Sequence, residues 1–173
     1  MRVQSKLLFA IILFSPLIVC CQKHIPKGET EKWILNKLNQ YGQTYFYFFK
    51  DPNGSDTIIK IIYSDYSFRF NDTCLLIDFT ETSGELLSHK RIEIPINNLI
   101  GLDNGISECP YLLFYAKGDY IVEKDIDKSK QEVTNSSFIG FNYTSEINIV
   151  KRLEKAFFNL KRYFKKPINP EPF

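Results

Sequence analysis

Two stretches of the chain, one near each end, carry apolar residues with the spacing of a helix. In residues 30–41, Ile34, Leu35, Leu38 and Tyr41 fall on one stripe, and Gly42 follows as a helix-ending residue. In residues 145–164 apolar positions recur every three or four residues, which predicts a longer amphipathic helix. Its apolar stripe consists of Ile147, Val150, Leu153, Phe157, Leu160 and Phe164. We expect each helix to pack its apolar face against a sheet.

Between these helices the chain consists of short runs of β-branched and aromatic residues that are separated by turn residues. The runs predicted to be strands are residues 44–50, 57–63, 66–70, 74–81, 86–94, 111–116, 120–125 and 138–143. Residues 97–102 are expected to form a bulged turn, and the polar residues 127–137 a mobile loop. Because no helical pattern separates the runs, we expect antiparallel neighbours.

The order of these elements, a helix, about seven antiparallel strands and a capping helix, predicts an α+β domain whose meander closes into a barrel or a sandwich. The arrangement resembles the pleckstrin-homology-like barrel, in which the terminal helix covers one open end. A lipocalin-like barrel around an apolar ligand is the alternative. The length of 173 residues suits one domain, and 44% hydrophobic residues exclude a disordered chain.

The aromatic run at residues 45–49 has two faces. Tyr45, Tyr47 and Phe49 fall on one face of the predicted strand, and Phe46 and Phe48 on the other. One set must enter the core. We expect the N-terminal helix to cover the other set, and the alternative is an exposed platform that binds a sugar or a protein.

The first 20 residues have the layout of an export signal. Arg2 and Lys6 precede an apolar run, residues 7–19, which at about 13 residues is too short to span a bilayer. The run ends in Leu-Ile-Val-Cys-Cys, residues 17–21, which resembles the lipobox of bacterial lipoproteins. The resemblance implies cleavage before a cysteine that carries lipid, and a location in the bacterial cell envelope. We divide the chain into a signal peptide (1–20), a tether (21–29), a single β-rich domain (30–166) and a proline-rich tail (167–173).

Either Cys20 or Cys21 can be the lipidated residue. The position of the lipobox leucine favours Cys20, whereas the need for a small residue before the cut favours Cys21. Cleavage before Cys21 also leaves an even pair, Cys74 and Cys109, in an oxidising compartment, and we favour it. Cys74 and Cys109 are then either a disulfide that closes a long loop or two separate thiols.

Charge is distributed unevenly along the exported chain. The formal net charge is +2, but Arg2 and Lys6 leave with the signal, so the remaining basic residues equal the 20 acidic residues in number. This balance gives no reason to expect a nucleic-acid partner. Residues 151–166 are nevertheless strongly basic, which indicates contact with anionic membrane headgroups or an ordinary solvated helix face. The candidate binding surface consists of Lys151, Arg152, Lys155 and Arg162.

Two short motifs lie near the C-terminus. Residues 152–157 read Arg-Leu-Glu-Lys-Ala-Phe, and residues 171–173 close the chain with Glu-Pro-Phe. Both resemble a family of small exported proteins of Bacteroidota type, and the resemblance covers the last third of the chain well. It brings no known activity and implies fold and location only.

The sequence contains no motif for catalysis or for binding a metal or cofactor. His24 and His89 have no zinc-ligand spacing. Residues 125–136 mimic the start of a calcium loop, but Lys130 and Ser136 stand where glycine and a bidentate glutamate are needed. The carboxylates from which a glycosidase pair would have to come are Asp78, Glu81, Glu85 and Glu93.

These observations predict a non-enzymatic, lipid-anchored envelope protein. We expect it to bind a protein or peptide at an exposed strand edge or along the C-terminal helix. One alternative is a carrier of a small apolar ligand, which requires an internal cavity. The other is a hydrolase of envelope polymers, which requires converging Asp or Glu pairs with raised pKa values.

Overall fold

Two β-sheets and two helices make up the parts of the chain that a computed structural model describes, residues 25–50, 58–105 and 109–164. The helices are α1, Lys27–Tyr41, and α2, Ile149–Lys161, with a 3-10 turn at Tyr143–Ser145 before α2. The strands are β1 (Tyr45–Lys50), β2 (Ile58–Phe70), β3 (Cys74–Ser83), β4 (Leu86–Pro95), β5 (Leu99–Gly105), β6 (Tyr111–Ala116), β7 (Ile121–Asp125), β8 (Lys130–Thr134) and β9 (Ser136–Gly140). The predicted α+β class is confirmed.

The large sheet has six strands in the order β1-β2-β3-β4-β7-β8, and the small sheet has three in the order β5-β6-β9. All pairs are antiparallel. The chain crosses directly between the sheets where β4 leads into β5, β6 into β7 and β8 into β9. Only Asn135 separates β8 from β9. The two sheets are therefore joined by three short connections.

The sheets do not close into the barrel predicted from the sequence. β1 and β8 are the outer strands of the large sheet, and no strand pairing joins them among the described residues. The start of β1 reaches the small sheet through a bridge between Gly42 and Phe141 and a hydrogen bond from the Gln43 N–H to the Gly140 carbonyl (3.0 Å). Gly140 allows this approach because the Gln43 carbonyl occupies the space that a Cβ would need. The large sheet is therefore open at β8, its last strand, and we call the opening beside β8 the seam.

One continuous apolar core joins both sheets and both helices. Ile77 of β3, Phe114 of β6 and Phe157 of α2 are among its fully buried members. Fully burying a side chain of this size stabilises the fold by about 1.5–3 kcal/mol. The core-facing residues of α2 are Ile149, Leu153, Phe157 and Leu160. Helix α1 packs against α2 and β2 through the buried Ile34 and Leu38.

Both helices begin at positions other than those predicted. Helix α1 begins at Lys27, inside the predicted tether, and Thr30 is a buried residue whose hydroxyl donates to the Pro26 carbonyl at 3.2 Å. Helix α2 begins only after Asn148, whose left-handed backbone (φ 60°) interrupts the apolar period. As a result Ile147, predicted in the buried stripe, is 85% exposed.

Three strand predictions are also corrected. The predicted runs 57–63 and 66–70 belong, from Ile58 onward, to the single strand β2, which contains a bulge near Asp65 (φ 55°). The predicted turn 97–102 contains the start of β5. The predicted mobile loop 127–137 contains all of β8. Every residue of β8 before Thr134 is exposed, so this outer strand carries no apolar alternation that a sequence pattern could show.

Candidate functional site

The face of the large sheet that points toward the core, its inner face, is apolar at one end and charged at the other. Because alternate residues of a strand share a face, Ile77, Phe79 and Glu81 of β3 all lie on it. Ile77 is fully buried and Phe79 partly buried, and Glu81 lies beyond the core. The neighbouring strand β4, which pairs with β3, also changes from the buried Ile92 to the charged Lys90. At this end of the sheet, charged side chains therefore occupy the inward positions that apolar side chains occupy at the other end.

A cleft of about 420 Å³ lies at this charged end, and we call it the seam cleft. Its walls come from β2, β3, β4, β7, β8 and β9. Its main lining residues are Tyr63, Phe79, Glu81, Lys90, Asp125, Lys128, Lys130, Glu132 and Phe138. Helix α2 contacts the opposite end, where the ring centroids of Phe70 and Phe157 are 6.4 Å apart. Leu75, which pairs with Phe70, and Glu81 are about 20 Å apart along β3.

Lys90 lies at the centre of the charges in the seam cleft. Its Nζ atom is 2.9 Å from Oδ2 of Asp125 and 3.6 Å from Oε1 of Glu81. The pairing of β4 with β7 sets Lys90 directly opposite Asp125. Asp125, whose side chain is only 7% exposed, also accepts the backbone N–H of Lys128 at 3.1 Å, and the Lys128 ammonium is 3.4 Å away. The buried carboxylate is thus surrounded by donors.

These contacts hold both members of the central pair in their charged forms. The hydrogen bond that Lys90 donates lowers the pKa of Asp125 to about 2, against the opposing effect of burial. Burial by itself would lower the pKa of Lys90, but the hydrogen bond to Asp125 and the charge of Glu81 outweigh it and raise this pKa. Proton transfer near neutral pH needs shifts in the other direction. The pair supplies fixed charges, which suit binding better than acid–base chemistry.

Three aromatic rings lie beside these charges in the cleft. The ring centroid of Tyr63 is 5.7 Å from that of Phe79 and 5.9 Å from that of Phe138. Burial, followed by the charges of Glu81 and Glu123, raises the pKa of Tyr63 to about 12, so its hydroxyl keeps its proton. A ligand in the cleft would therefore meet an apolar floor next to a charged wall.

The outer face of the large sheet carries a separate network of charges. Arg69 and Arg91 both donate to the carboxylate of Asp78, and Glu93 lies on the same face. Burial would raise the pKa of Asp78, but these two hydrogen bonds outweigh it and lower this pKa. The carboxylates considered for a glycosidase pair are therefore divided, because Glu81 lies in the seam cleft on the inner face.

Cys74 and Cys109 are not joined to each other, so the candidate disulfide is not formed in the structure. Cys74 pairs with Pro95, and the turn after Pro95 leads to Leu99, which pairs with Ala116 at the end of β6. Cys109 precedes the start of β6, about 20 Å of strand away from that end. A disulfide needs Cα atoms about 4.4–6.8 Å apart. Burial raises the pKa of the Cys74 thiol.

The predicted basic surface lies on α2 and just after it. All four of its residues, Lys151, Arg152, Lys155 and Arg162, are exposed. The guanidinium of Arg152 lies 5.4 Å from the ring centroid of Trp33 on α1. Trp33, Arg152 and Lys155 line a groove of about 470 Å³ between the two helices. The lipidation candidates Cys20 and Cys21 lie outside the described residues.

The expectation that α1 covers the second face of the aromatic run is wrong. Tyr45 is buried on the inner face, but Phe48 on the outer face is 52% exposed. The Lys60 ammonium lies 4.3 Å from the ring centroid of Phe46 and 5.9 Å from that of Phe48. Helix α1 packs instead against α2 and β2. The alternative, an exposed aromatic surface, is the arrangement found.

The central residues of the seam cleft were not identified as a group from the sequence. In the sequence Asp125 stands out only as the first position of the calcium-loop mimic, and no sequence motif includes Lys90. The sequence does hold one signal, because Lys90 occupies the position two residues before Ile92 and four before Ile94 in the inward alternation of β4. A charge at an inward strand position indicates either a buried ion pair or a polar cleft.

We found no match to the chain among protein-family models, curated proteins or solved structures. Neither helix in the described parts of the chain combines the length and the hydropathy that crossing a bilayer requires. Within those same parts, no cluster of three or more His, Cys, Asp or Glu residues is arranged to hold a metal ion. What the site does is therefore inferred from its own geometry and charge.

Proposed function

We propose that this chain is a lipid-anchored, non-enzymatic protein of the bacterial cell envelope that binds a protein or peptide partner in the seam cleft. The single observation that carries the binding role is the cleft, which combines an aromatic floor with fixed charges of both signs. The lipobox-like residues 17–21 support the anchor.

A polypeptide segment offers the groups that the cleft is suited to bind. An apolar side chain can lie on Tyr63 and Phe138, while charged or amide groups meet the rim. Lys130 and Glu132 of β8 lie at this rim, with side chains 70% and 69% exposed. As the outer strand of the large sheet, β8 also has an edge along which an extended segment can pair.

The two alternatives are less well supported. A carrier needs an apolar cavity, but the core positions between the sheets hold large side chains such as Phe114 and Phe157, and the cleft has charged walls. A hydrolase needs a carboxylate whose pKa is raised, and the shift at Asp125 is downward. The pleckstrin-homology-like architecture stays a prediction, which the packing of α2 across one end of the core supports.

Site-specific photo-crosslinking tests the binding role. Glu132 and Val133 are adjacent on β8, and both are exposed, but their side chains leave opposite faces of the sheet. A photoreactive phenylalanine analogue is placed at each position of the full chain, in cells of the organism that encodes it. We expect a protein or peptide adduct from position 132 and none from position 133.

Two results would contradict this proposal: no adduct at position 132, or equal adducts at both positions. The anchor is tested separately by the intact mass and membrane fractionation of Cys20→Ala and Cys21→Ala variants. We expect Cys21→Ala to lose the lipid mass and Cys20→Ala to keep it. Loss only in Cys20→Ala moves the anchor by one residue, and an unlipidated parent chain overturns the anchor.

A further inference from the structure

We propose that the outward side of α2 is a docking surface for anionic lipid headgroups. Lys151, Lys155, Phe158 and Arg162 form this surface, which we call the α2 stripe. The inference deepens the proposed function and rests on its lipid anchor. Docking would lay α2 on the membrane and fix which part of the domain faces it.

The α2 stripe points directly away from the core. Its members follow one another at intervals of four, three and four residues, so at about 100° per residue they fall within about 60° of the helix circumference. The middle of the stripe lies about 180° from the middle of the buried face. The buried face consists of Ile149, Leu153, Phe157 and Leu160. The stripe is therefore the side of α2 that a flat surface can touch.

The three cations of the α2 stripe are available to bind an external anion. Lys151, Lys155 and Arg162 form no ion pair with any residue in the described ranges. The two carboxylates that lie nearest to these cations in the sequence already have other partners. Glu146 is bound by two other basic side chains, and Glu154 accepts a backbone N–H of β5 at 3.3 Å.

Exposed apolar side chains accompany these cations. Phe158, between Lys155 and Arg162 on the stripe, is 38% exposed. Ile147, just before the helix, is 85% exposed. Membrane-surface helices combine basic side chains, which are attracted to anionic lipids, with Phe or Leu side chains that enter the headgroup region. The α2 stripe offers both kinds of group, although the main apolar face of α2 is buried in the core. An acidic protein surface would contact only the basic side chains, whereas a membrane can also accommodate Phe158 and Ile147. The combination therefore favours a lipid partner.

The path of the chain brings the anchor to the same place. The Tyr163 hydroxyl, just after α2, donates to the Ile25 carbonyl at 2.6 Å, so the N-terminal side of the domain begins beside the end of α2. Cys21 precedes Ile25 by four residues, which span at most about 14 Å. Helix α2 itself is about 20 Å long. A lipid on Cys21 would therefore hold the α2 stripe close to the headgroups.

Vesicle binding of the unlipidated chain tests this proposal apart from the anchor. The chain from Gln22 onward contains every described residue and hence the whole core. Its partition is measured by co-sedimentation with vesicles of phosphatidylglycerol and phosphatidylethanolamine, and with vesicles of phosphatidylcholine alone. The variant Lys151→Glu/Lys155→Glu is compared with Lys128→Glu/Lys130→Glu, which makes the same charge change at the seam cleft. Circular dichroism checks that all chains are folded.

We expect the parent chain to bind the anionic vesicles, more weakly as salt is added, and not the neutral vesicles. Reversal on the α2 stripe should weaken this binding at least about tenfold, and reversal at the cleft by less than about twofold. Equal weakening by both variants would show an effect of net charge and overturn the proposal. Absence of binding to anionic vesicles overturns it too and favours an acidic protein, while lipidation of Cys21 and adducts at position 132 would stand unaffected.

Discussion

The two ends of this domain use basic residues in opposite ways. At the α2 end the cations lie outside, on the α2 stripe, and form no ion pair with described residues, while the interior is apolar. At the seam cleft each of the three main cations contacts a carboxylate: the largely buried Lys90 lies 2.9 Å from Asp125, and Lys128 and Lys130 form ion pairs at the rim. Unpaired outer charges create a long-range field, whereas paired inner charges fix the shape of a site.

The two ends of the domain also contribute differently to its stability. The α2 end is stabilised by burial of large apolar side chains, which contributes about 1.5–3 kcal/mol each. The cleft end is held by ion pairs whose attraction is largely offset by the cost of removing charges from water. A whole ion pair of the cleft can therefore be replaced at little cost in stability, whereas removal of one partner alone leaves a buried charge unpaired.

The largest loss of stability is therefore expected from a substitution in the core under α2. Phe157→Ala should lower the free energy of unfolding by about 3–5 kcal/mol, because it leaves a cavity between α2 and the sheets. The adjacent Phe158→Ala is the matched control and should change it by no more than about 0.5 kcal/mol. Urea unfolding measures both. Similar losses in the two variants would contradict the contrast between the inner and outer sides of α2.

A smaller loss is expected from the central ion pair of the cleft. Lys90→Met removes the main partner of the buried Asp125 carboxylate and should cost less than half of the loss in Phe157→Ala. Lys151→Met, which removes an unpaired cation, should have no measurable effect. The double variant Lys90→Met/Asp125→Asn should be more stable than Lys90→Met alone, because it no longer buries an unpaired charge. A double variant that is less stable would show that the Asp125 carboxylate stabilises the fold without Lys90.

The smallest effect is a dependence of stability on acidic pH. The folded-state pKa of Asp125, about 2, lies below the usual value of about 3.9 in an unfolded chain. The unfolded chain therefore binds the proton first, and this stabilisation is present above about pH 4 and is lost as the pH falls toward 2. The difference in unfolding free energy between the parent and Asp125→Asn should shrink over that range. A difference that stays constant would show that this pKa is not lowered by folding.

The sequence predicted those elements in which one face of a strand or helix is buried. The bounds of β6 match the prediction, 111–116, and β7 differs by one residue, because both begin with β-branched, aliphatic or aromatic residues and follow turn residues. Strand β8 was missed because it is an exposed outer strand, and β5 because its first residues were interpreted as a turn. The seam cleft depends on tertiary pairing: Lys90 and Asp125 are 35 positions apart and meet only through the register of β4 with β7.

The contact between α1 and α2 has a consequence for how the chain folds as it is made. These are the first and last α-helices of the described residues. Lys37 of α1 also contacts Glu146, which lies 109 positions further on and just before α2, at 2.7 Å. Closing a loop of this length costs entropy before its contacts form. A chain still lacking α2 leaves the apolar face of α1 without its cover, so the native core cannot close until α2 has been made. Such delayed closure would suit the exported chain that we propose, because an incompletely folded chain can be threaded through a membrane.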